Sequence, residues 1–176
     1  MPCVVADTSP LFYLAALDRL NLLRELYGSV IVPTTVWREA LAGGRVAEDT
    51  KPVLEGALQR GWISVQPTPA SGGLPHELAN ADLDAGELDA LALALALHAD
   101  LVLIDELEGR AAAAKLGLSI TGTVGILVEA KRRGLLPSVR VELERLQSET
   151  TFWLSRRLEH IAIEMAGESP KQPPKT

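Results

Sequence analysis

Cysteine is nearly absent. Cys3 is the only one among 176 residues, which excludes an internal disulfide framework and a cysteine-rich zinc site. It is read as a small buried residue at the start of a first strand. Histidine is scarce as well. His76, His98 and His160 lack the i, i+4 or HExxH spacing of a zinc site, so His98 reads as a helix-end residue and the other two as surface residues. The apolar runs carry charges too often to span a bilayer. The opening MPCVVAD has neither a basic segment nor an h-region, so no signal peptide is expected and the cytoplasm is the expected location. No GxSxG is present, and no GxGxxG follows the first apolar run, so a dinucleotide site is not expected. Basic side chains are outnumbered, 17 against 23 acids, for a net charge of −6. That argues against a broad nucleic-acid-binding surface, but not against a site where bound cations meet phosphate.

What the chain has is leucine, alanine and valine in short runs. Apolar residues make up 47%, enough for a folded domain with a real core. Residues 82–105, DLDAGELDALALALALHADLVLID, organise the rest. Asp84 is a good N-cap, and Glu87 three residues later completes a capping-box pattern. The Leu/Ala run that follows is apolar nearly all round, so this helix is expected to be buried. Residues 101–104 then read as a strand covered on both faces and ending on Asp105.

Earlier in the chain, residues 4–6 form a first strand ending on Asp7. Ser9 as N-cap with Pro10 at the first helical position predicts a helix directly after it. Asp18 restarts that helix, and Gly28 closes it. Residues 30–32 read as a second strand, followed by a helix capped by Thr34 or Thr35 that carries Glu39 and stops at Gly43-Gly44. A further helix over roughly 50–60, a third strand over 62–65 and a loop over 66–75 follow. Beyond the central unit come a helix over 107–116, a fifth strand over 118–120 and a helix ending at Gly134. Ser138 caps the next helix, and Thr150 or Thr151 starts the last one. Strand–helix alternation predicts a three-layer α/β/α fold with a central parallel sheet of about five strands. Right-handed crossovers place all strand C-termini on one edge. The expected division is a core of residues 1–135, C-terminal helices over 136–166 packed on the core or a partner, and a disordered tail over 167–176.

Four acids are predicted at that edge: Asp7, Glu39, Glu87 and Asp105, with Asp84 and Glu106 as supplements. Each has a plainer reading. Asp7 could cap a helix, Glu39 could be a solvated face charge, Glu87 could serve only the capping box, and Asp105 could be a loop acid. The shared location favours chemistry. Clustered carboxylates repel, and Mg²⁺ or Mn²⁺ bound by hard oxygen ligands removes the conflict. Such a cluster on an α/β sheet suits phosphodiester hydrolysis. Ser9 could orient an Asp7 oxygen, and Arg110, about one turn beyond Asp105, is the best candidate for a phosphate contact. Lys131, Arg132 and Arg133 read as a solvated helix end. Trp37, Trp62 and Trp153 read as core or interface residues. An aspartyl-phosphate enzyme would want a second acid where Ser9 stands.

The stretches ADTSPLFYLA, VPTTVWREAL, LDAGELDALALALALHADLVLIDE and ITGTVGILVEAKRRGLLPSV, in that order, resemble the PIN-domain family over most of residues 3–166. The family's four acids match Asp7, Glu39, Glu87 and Asp105, and its hydroxyl residue after the first acid matches Ser9. Its threonine two residues before the last acid is Leu103 here. The resemblance implies a metal-dependent endoribonuclease that cuts single-stranded RNA with Mg²⁺ or Mn²⁺. It also implies frequent homodimers and a small antitoxin partner, as in toxin–antitoxin pairs. The rival expectation is a non-catalytic module that binds nucleic acid or protein, motivated by the acidic charge and sparse basic residues.

Overall fold

In a computed structural model, described for residues 1–42, 45–69, 75 and 82–169 (with no account of the side chains of 45–48), five short strands form one parallel sheet. They are β1 (Val4–Ala6), β2 (Val30–Pro33), β3 (Ile63–Gln66), β4 (Leu101–Leu103) and β5 (Ile120–Thr121). The helices, in chain order, are α1 (Thr8–Ala16), α2 (Asn21–Tyr27), α3 (Thr34–Ala42), α4 (Arg45–Gln59), α5 (Ala85–Ala96), α6 (Leu107–Lys115), α7 (Thr123–Arg132), α8 (Val139–Glu149) and α9 (Arg156–Met165). The expected three-layer α/β/α architecture is the one found. The chain divides into two compact units, Met1–Thr123 and Val124–Thr176, and the division falls in the first turn of α7.

In the first unit the strand order is β3-β2-β1-β4-β5. The chain steps outward from β1 to β3, then crosses back to place β4 on the other side of β1. Ligands of open α/β sheets bind at such a reversal, beyond the strand C-termini. Register there is fixed: Val4 pairs with Leu101, Val5 with Val102 and Ala6 with Leu103. Both strands are buried on both faces, because alternate side chains serve opposite helical layers. Val5, Val102 and Ile104 pack against Ala90, Leu91, Leu93 and Ala94 of α5 and Ala112 and Ala113 of α6. α5 is buried as its composition predicts. Asp84 at its N-cap accepts from the Glu87 N–H at 2.8 Å, and Glu87 accepts from the Asp84 N–H at 3.0 Å.

Several boundaries differ from the sequence reading, each for a local reason. α1 starts at Thr8, not after Ser9. Asp7 takes the N-cap position without a side-chain cap bond, and Pro10 sits in the first turn, where its missing N–H is not needed. α4 begins at Arg45 and carries Pro52 in its interior. It forgoes one helical hydrogen bond there instead of starting near Thr50. The stop at Gly43-Gly44, residues 70–74 of the expected loop, and His76 lie outside the described residues.

In the second unit the last helix starts at Arg156, capped by Ser155, not at Thr150 or Thr151. Thr150 instead closes α8: its hydroxyl donates to the Leu146 carbonyl and accepts from the Phe152 N–H at 3.1 Å. Ser138 caps α8 as expected. Of the predicted tail, Gly167 to Ser169 are described and Glu168 is tethered. Its carboxylate accepts from the Ser138 hydroxyl at 2.8 Å and the Val139 N–H at 2.5 Å, at the positive end of the α8 dipole. Residues 170–176 lie outside the described residues. Arg132 and Arg133 pair with Glu129, and Lys131 donates to the Pro137 carbonyl, so this basic trio is a braced helix end.

Leu91, fully buried in α5, is the test of this core. Leu91→Ala is expected to lower the unfolding free energy by roughly 2–5 kcal/mol. Urea denaturation checks it as a lower midpoint at an unchanged m-value.

Candidate metal and nucleic-acid site

Asp7 extends β1 by one residue, and its N–H donates to the Leu103 carbonyl at 2.9 Å, so its backbone is locked to β4. Its side chain is 3% exposed. Burial raises its carboxyl to about 7, the Thr8 backbone N–H opposes this, and the charges of Asp84, Glu87 and Glu39 raise it further. Three acids from two other elements therefore crowd one buried carboxylate.

Glu39 reaches the site from α3. Its Oε2 accepts from the Thr8 hydroxyl at 3.0 Å. Gly86, in the first turn of α5, lies against it. A Cβ at Gly86 would collide with Glu39 Oε2 and would stand 3.4 Å from Asp7 Oδ1. Only glycine lets the α5 terminus approach both carboxylates this closely.

Glu87 is 4% exposed. Oε2 serves the capping box, while Oε1 is buried against the Gly109 backbone without a well-formed hydrogen bond. Burial raises its pKa, the Asp84 N–H opposes that, and the charges of Asp84 and Glu106 raise it further, with a weak opposing pull from the Gly109 N–H. A Cβ at Gly109 would lie 2.6 Å from Oε1. That oxygen thus faces the first turn of α6. The capping box and a functional role are compatible here, because they use different oxygens of one side chain.

Asp105 lies at the same edge but in other company. Its Oδ1 accepts from the Thr123 N–H at 2.7 Å and its Oδ2 from the Thr123 hydroxyl at 2.6 Å. Burial raises its pKa, the two Thr123 bonds lower it, Glu106 raises it and Arg110 lowers it. The β1–β4 pairing ends at Ala6 and Leu103, so Asp105 lies beyond the ladder, and Thr123 fixes its direction.

The remaining expected residues fall as follows. Asp84 caps α5 and adds charge beside Asp7 and Glu87. Ser9 does not bond Asp7; its hydroxyl donates to Glu106 at 2.9 Å, because Asp7 is buried below the helix start while Ser9 faces α6. Arg110 donates from Nη1 to the Ile104 carbonyl at 3.0 Å and so braces the β4 end. Trp62 is buried and Trp153 is 83% exposed. Sequence reading gave no role to Thr123, Gly86 or Gly109. Their only signal was position: small residues and a hydroxyl beside acids at the starts of helices.

Two features of these side chains bear on a divalent cation: the buried Asp7 carboxylate is crowded by like charge, and Glu87 Oε1 makes no well-formed hydrogen bond. The donors are hard carboxylate oxygens, the class that binds Mg²⁺ and Mn²⁺. Among the described residues, no group of three or more His, Cys, Asp or Glu is already set to hold a metal ion. The acids line the edge from Glu39 to Asp105 and do not converge on one point.

The chain thus joins an all-parallel α/β/α sheet to carboxylates at its topological reversal. Residues 3–168 match the family described as a PIN domain, and the chain belongs to that family. PIN domains are generally nucleases, hydrolases of phosphodiester bonds. No curated protein matches the sequence. No helix among the described residues is long and apolar enough to cross a membrane.

The raised Asp7 pKa has a thermodynamic consequence. The folded state holds this proton up to about pH 7, whereas the unfolded carboxyl releases it near 3.8. Stability from this group is complete below about pH 4 and is lost as pH rises towards 7, by roughly 4 kcal/mol at most. Glu87 and Asp105 shift in the same direction. In metal-free buffer the unfolding free energy is expected to fall across this window, and Asp7→Asn is expected to flatten most of the slope. Denaturant unfolding at pH 4.5, 5.5, 6.5 and 7.5 measures it.

Proposed function

We infer that this protein is a metal-dependent endoribonuclease cutting single-stranded RNA. The observation that supports this most directly is the crowding of Asp84, Glu87 and Glu39 charges around the buried Asp7 carboxylate. Asp7, Glu39 and Glu87 would hold Mg²⁺ or Mn²⁺. When bound, such a cation supplies Lewis-acid stabilisation of negative charge on the phosphodiester. Thr8 aims Glu39, and the capping box fixes Glu87, so two of the three carboxylates are oriented in advance. Arg110 has five N–H donors, and the bond to Ile104 uses one, so the others can meet a phosphate oxygen. A single-stranded substrate suits a narrow acidic edge with few cations, because the backbone approaches locally and not along a duplex face.

Purified protein is expected to cleave single-stranded RNA with Mg²⁺ or Mn²⁺ and not in chelator. Asp7→Asn is expected to lower the rate by at least about 100-fold, with an unchanged circular-dichroism spectrum. Full activity in that variant removes the assignment.

A second reading, a binding module without catalysis, draws on the absence of a ready three-residue metal group among the described residues. Calorimetry with Mn²⁺ separates the two: the nuclease binds it, the module does not.

The toxin role, with a homodimer and a small antitoxin partner, is proposed with the family pattern. In the second unit, Leu158, Ile161 and Met165 form an exposed apolar stripe on α9 at i, i+3, i+7 spacing, and Trp153 and Val141 are exposed as well. Light scattering after size exclusion is expected to give twice the 18.9 kDa chain mass, and Ile161→Glu is expected to shift it towards the monomer.

A further inference from the structure

A concavity lies at the other edge of the sheet, away from the acids. It has a volume of about 390 Å³ and is lined by Asn21, Arg24, Glu25 and Arg60. That is within the size of small-molecule sites, roughly 300–1,000 Å³. Two helices build it. In α2, Leu22, Leu23 and Leu26 turn into the core, which leaves Asn21, Arg24 and Glu25, at i, i+3, i+4, along the exposed face. Arg60 directly follows α4. Its N–H donates to the Gly56 carbonyl at 3.1 Å, and Gly61, at φ 76°, ends the helix there. The Arg60 guanidinium folds back over Gly56: a Cβ at Gly56 would stand 3.4 Å from Nη1 and 3.5 Å from Nη2. The Val30 N–H donates to the Trp62 carbonyl at 2.9 Å and ties the two walls together. That bond lies at the N-terminal ends of β2 and β3, so the strands separate the concavity from the acids at their C-terminal ends.

The side chains around this space are uncommitted. Among the described residues, no ion pair joins Arg24, Arg60 or Glu25 to another side chain. Each arginine by itself suits the end of its helix, where the dipole favours a cation. The dipole does not account for two helices presenting their cations to one space. Each guanidinium is a planar fork of N–H donors that matches phosphate oxygens in pairs. Asn21 adds a donor and an acceptor. Glu25 only accepts, so it repels a bare dianion but takes hydrogen bonds from hydroxyl groups.

We propose that this concavity binds a small phosphate monoester that carries hydroxyl groups, the chemistry of a phosphorylated ribose. Arg24 and Arg60 hold the phosphate, and Glu25 with Asn21 takes the sugar hydroxyls. Free sugar phosphates and mononucleotides share this chemistry. The site uses no residue of the acid edge and stands apart from the proposed nuclease activity.

Isothermal titration calorimetry of the full-length protein tests this with ribose 5-phosphate, adenosine monophosphate and inorganic phosphate. Chelator in the buffer keeps cations off the acid edge. Ribose 5-phosphate is expected to bind at least about tenfold more tightly than inorganic phosphate. Arg24→Gln and Arg60→Gln are each expected to weaken it roughly tenfold or more, the effect of losing a charge-assisted contact. Both side chains are exposed, so the melting temperature is expected to stay unchanged. Glu25→Gln is expected to weaken ribose 5-phosphate and to strengthen inorganic phosphate. Lys115→Gln, which removes an exposed cation of α6, controls for general loss of charge and is expected to match the wild type. Tighter binding of adenosine monophosphate than of ribose 5-phosphate identifies the ligand as a nucleotide, and equal or weaker binding identifies a sugar phosphate. The assignment is overturned by the absence of binding of either ester, by wild-type affinity in Arg24→Gln or Arg60→Gln, by unchanged selectivity in Glu25→Gln, or by inorganic phosphate binding as tightly as the esters. None of these results touches the proposed function.

Discussion

A carboxylate buried at the middle of a parallel sheet is the constraint on which the site depends. Asp7 ends the central strand, where both faces are covered, and an ionised acid there is unfavourable unless something stabilises its charge. Among the described residues, no salt bridge to Asp7 relieves this. The structure adds Asp84, Glu87 and Glu39 around it, which deepens the conflict. A single apolar residue in place of Asp7 would remove the conflict, so the acid works against the stability of the metal-free fold and marks this edge as a candidate site.

The neighbours of these acids are specialised for close approach and for aim. Gly86 and Gly109 let two helix termini come within contact of Glu39, Asp7 and Glu87. Thr8, Ser9 and Thr123 each direct one carboxylate through a hydroxyl. At three loop-to-helix junctions, after β1, before α5 and after β4, an acid stands at or near the start of a helix, and the hydroxyls there reach carboxylates of other elements. Helix N-termini also lend these junctions positive potential, which partly offsets the crowding of negative charge.

The second unit has a different chemistry. Its last turn folds back so that the Glu168 carboxylate closes the start of α8, and Arg145 bridges Glu142 and Glu149 along the same helix. Among its exposed residues are the apolar Val141, Trp153, Leu158, Ile161 and Met165.

Much of this was legible in the chain. The alternation of apolar runs with capped helices is local information, and it determined the strand count, the parallel sheet, the buried α5 helix and the capping box at Asp84 and Glu87. It also placed Asp7, Glu39, Glu87 and Asp105 at one edge, since every strand of a right-handed parallel sheet ends there. Local signals misplaced the helix starts near Thr8, Arg45 and Arg156, where a proline or a threonine satisfied two roles; α2 also starts at Asn21 and not at Asp18, and β5 is Ile120–Thr121 and not 118–120. What the chain could not decide was which of those acids share a face. That depends on how the ends of β1 and β4 and the helices after them pack, contacts such as Ser9 with Glu106 between segments 97 residues apart. Composition and spacing are blind to that packing, and only the tertiary structure fixes it.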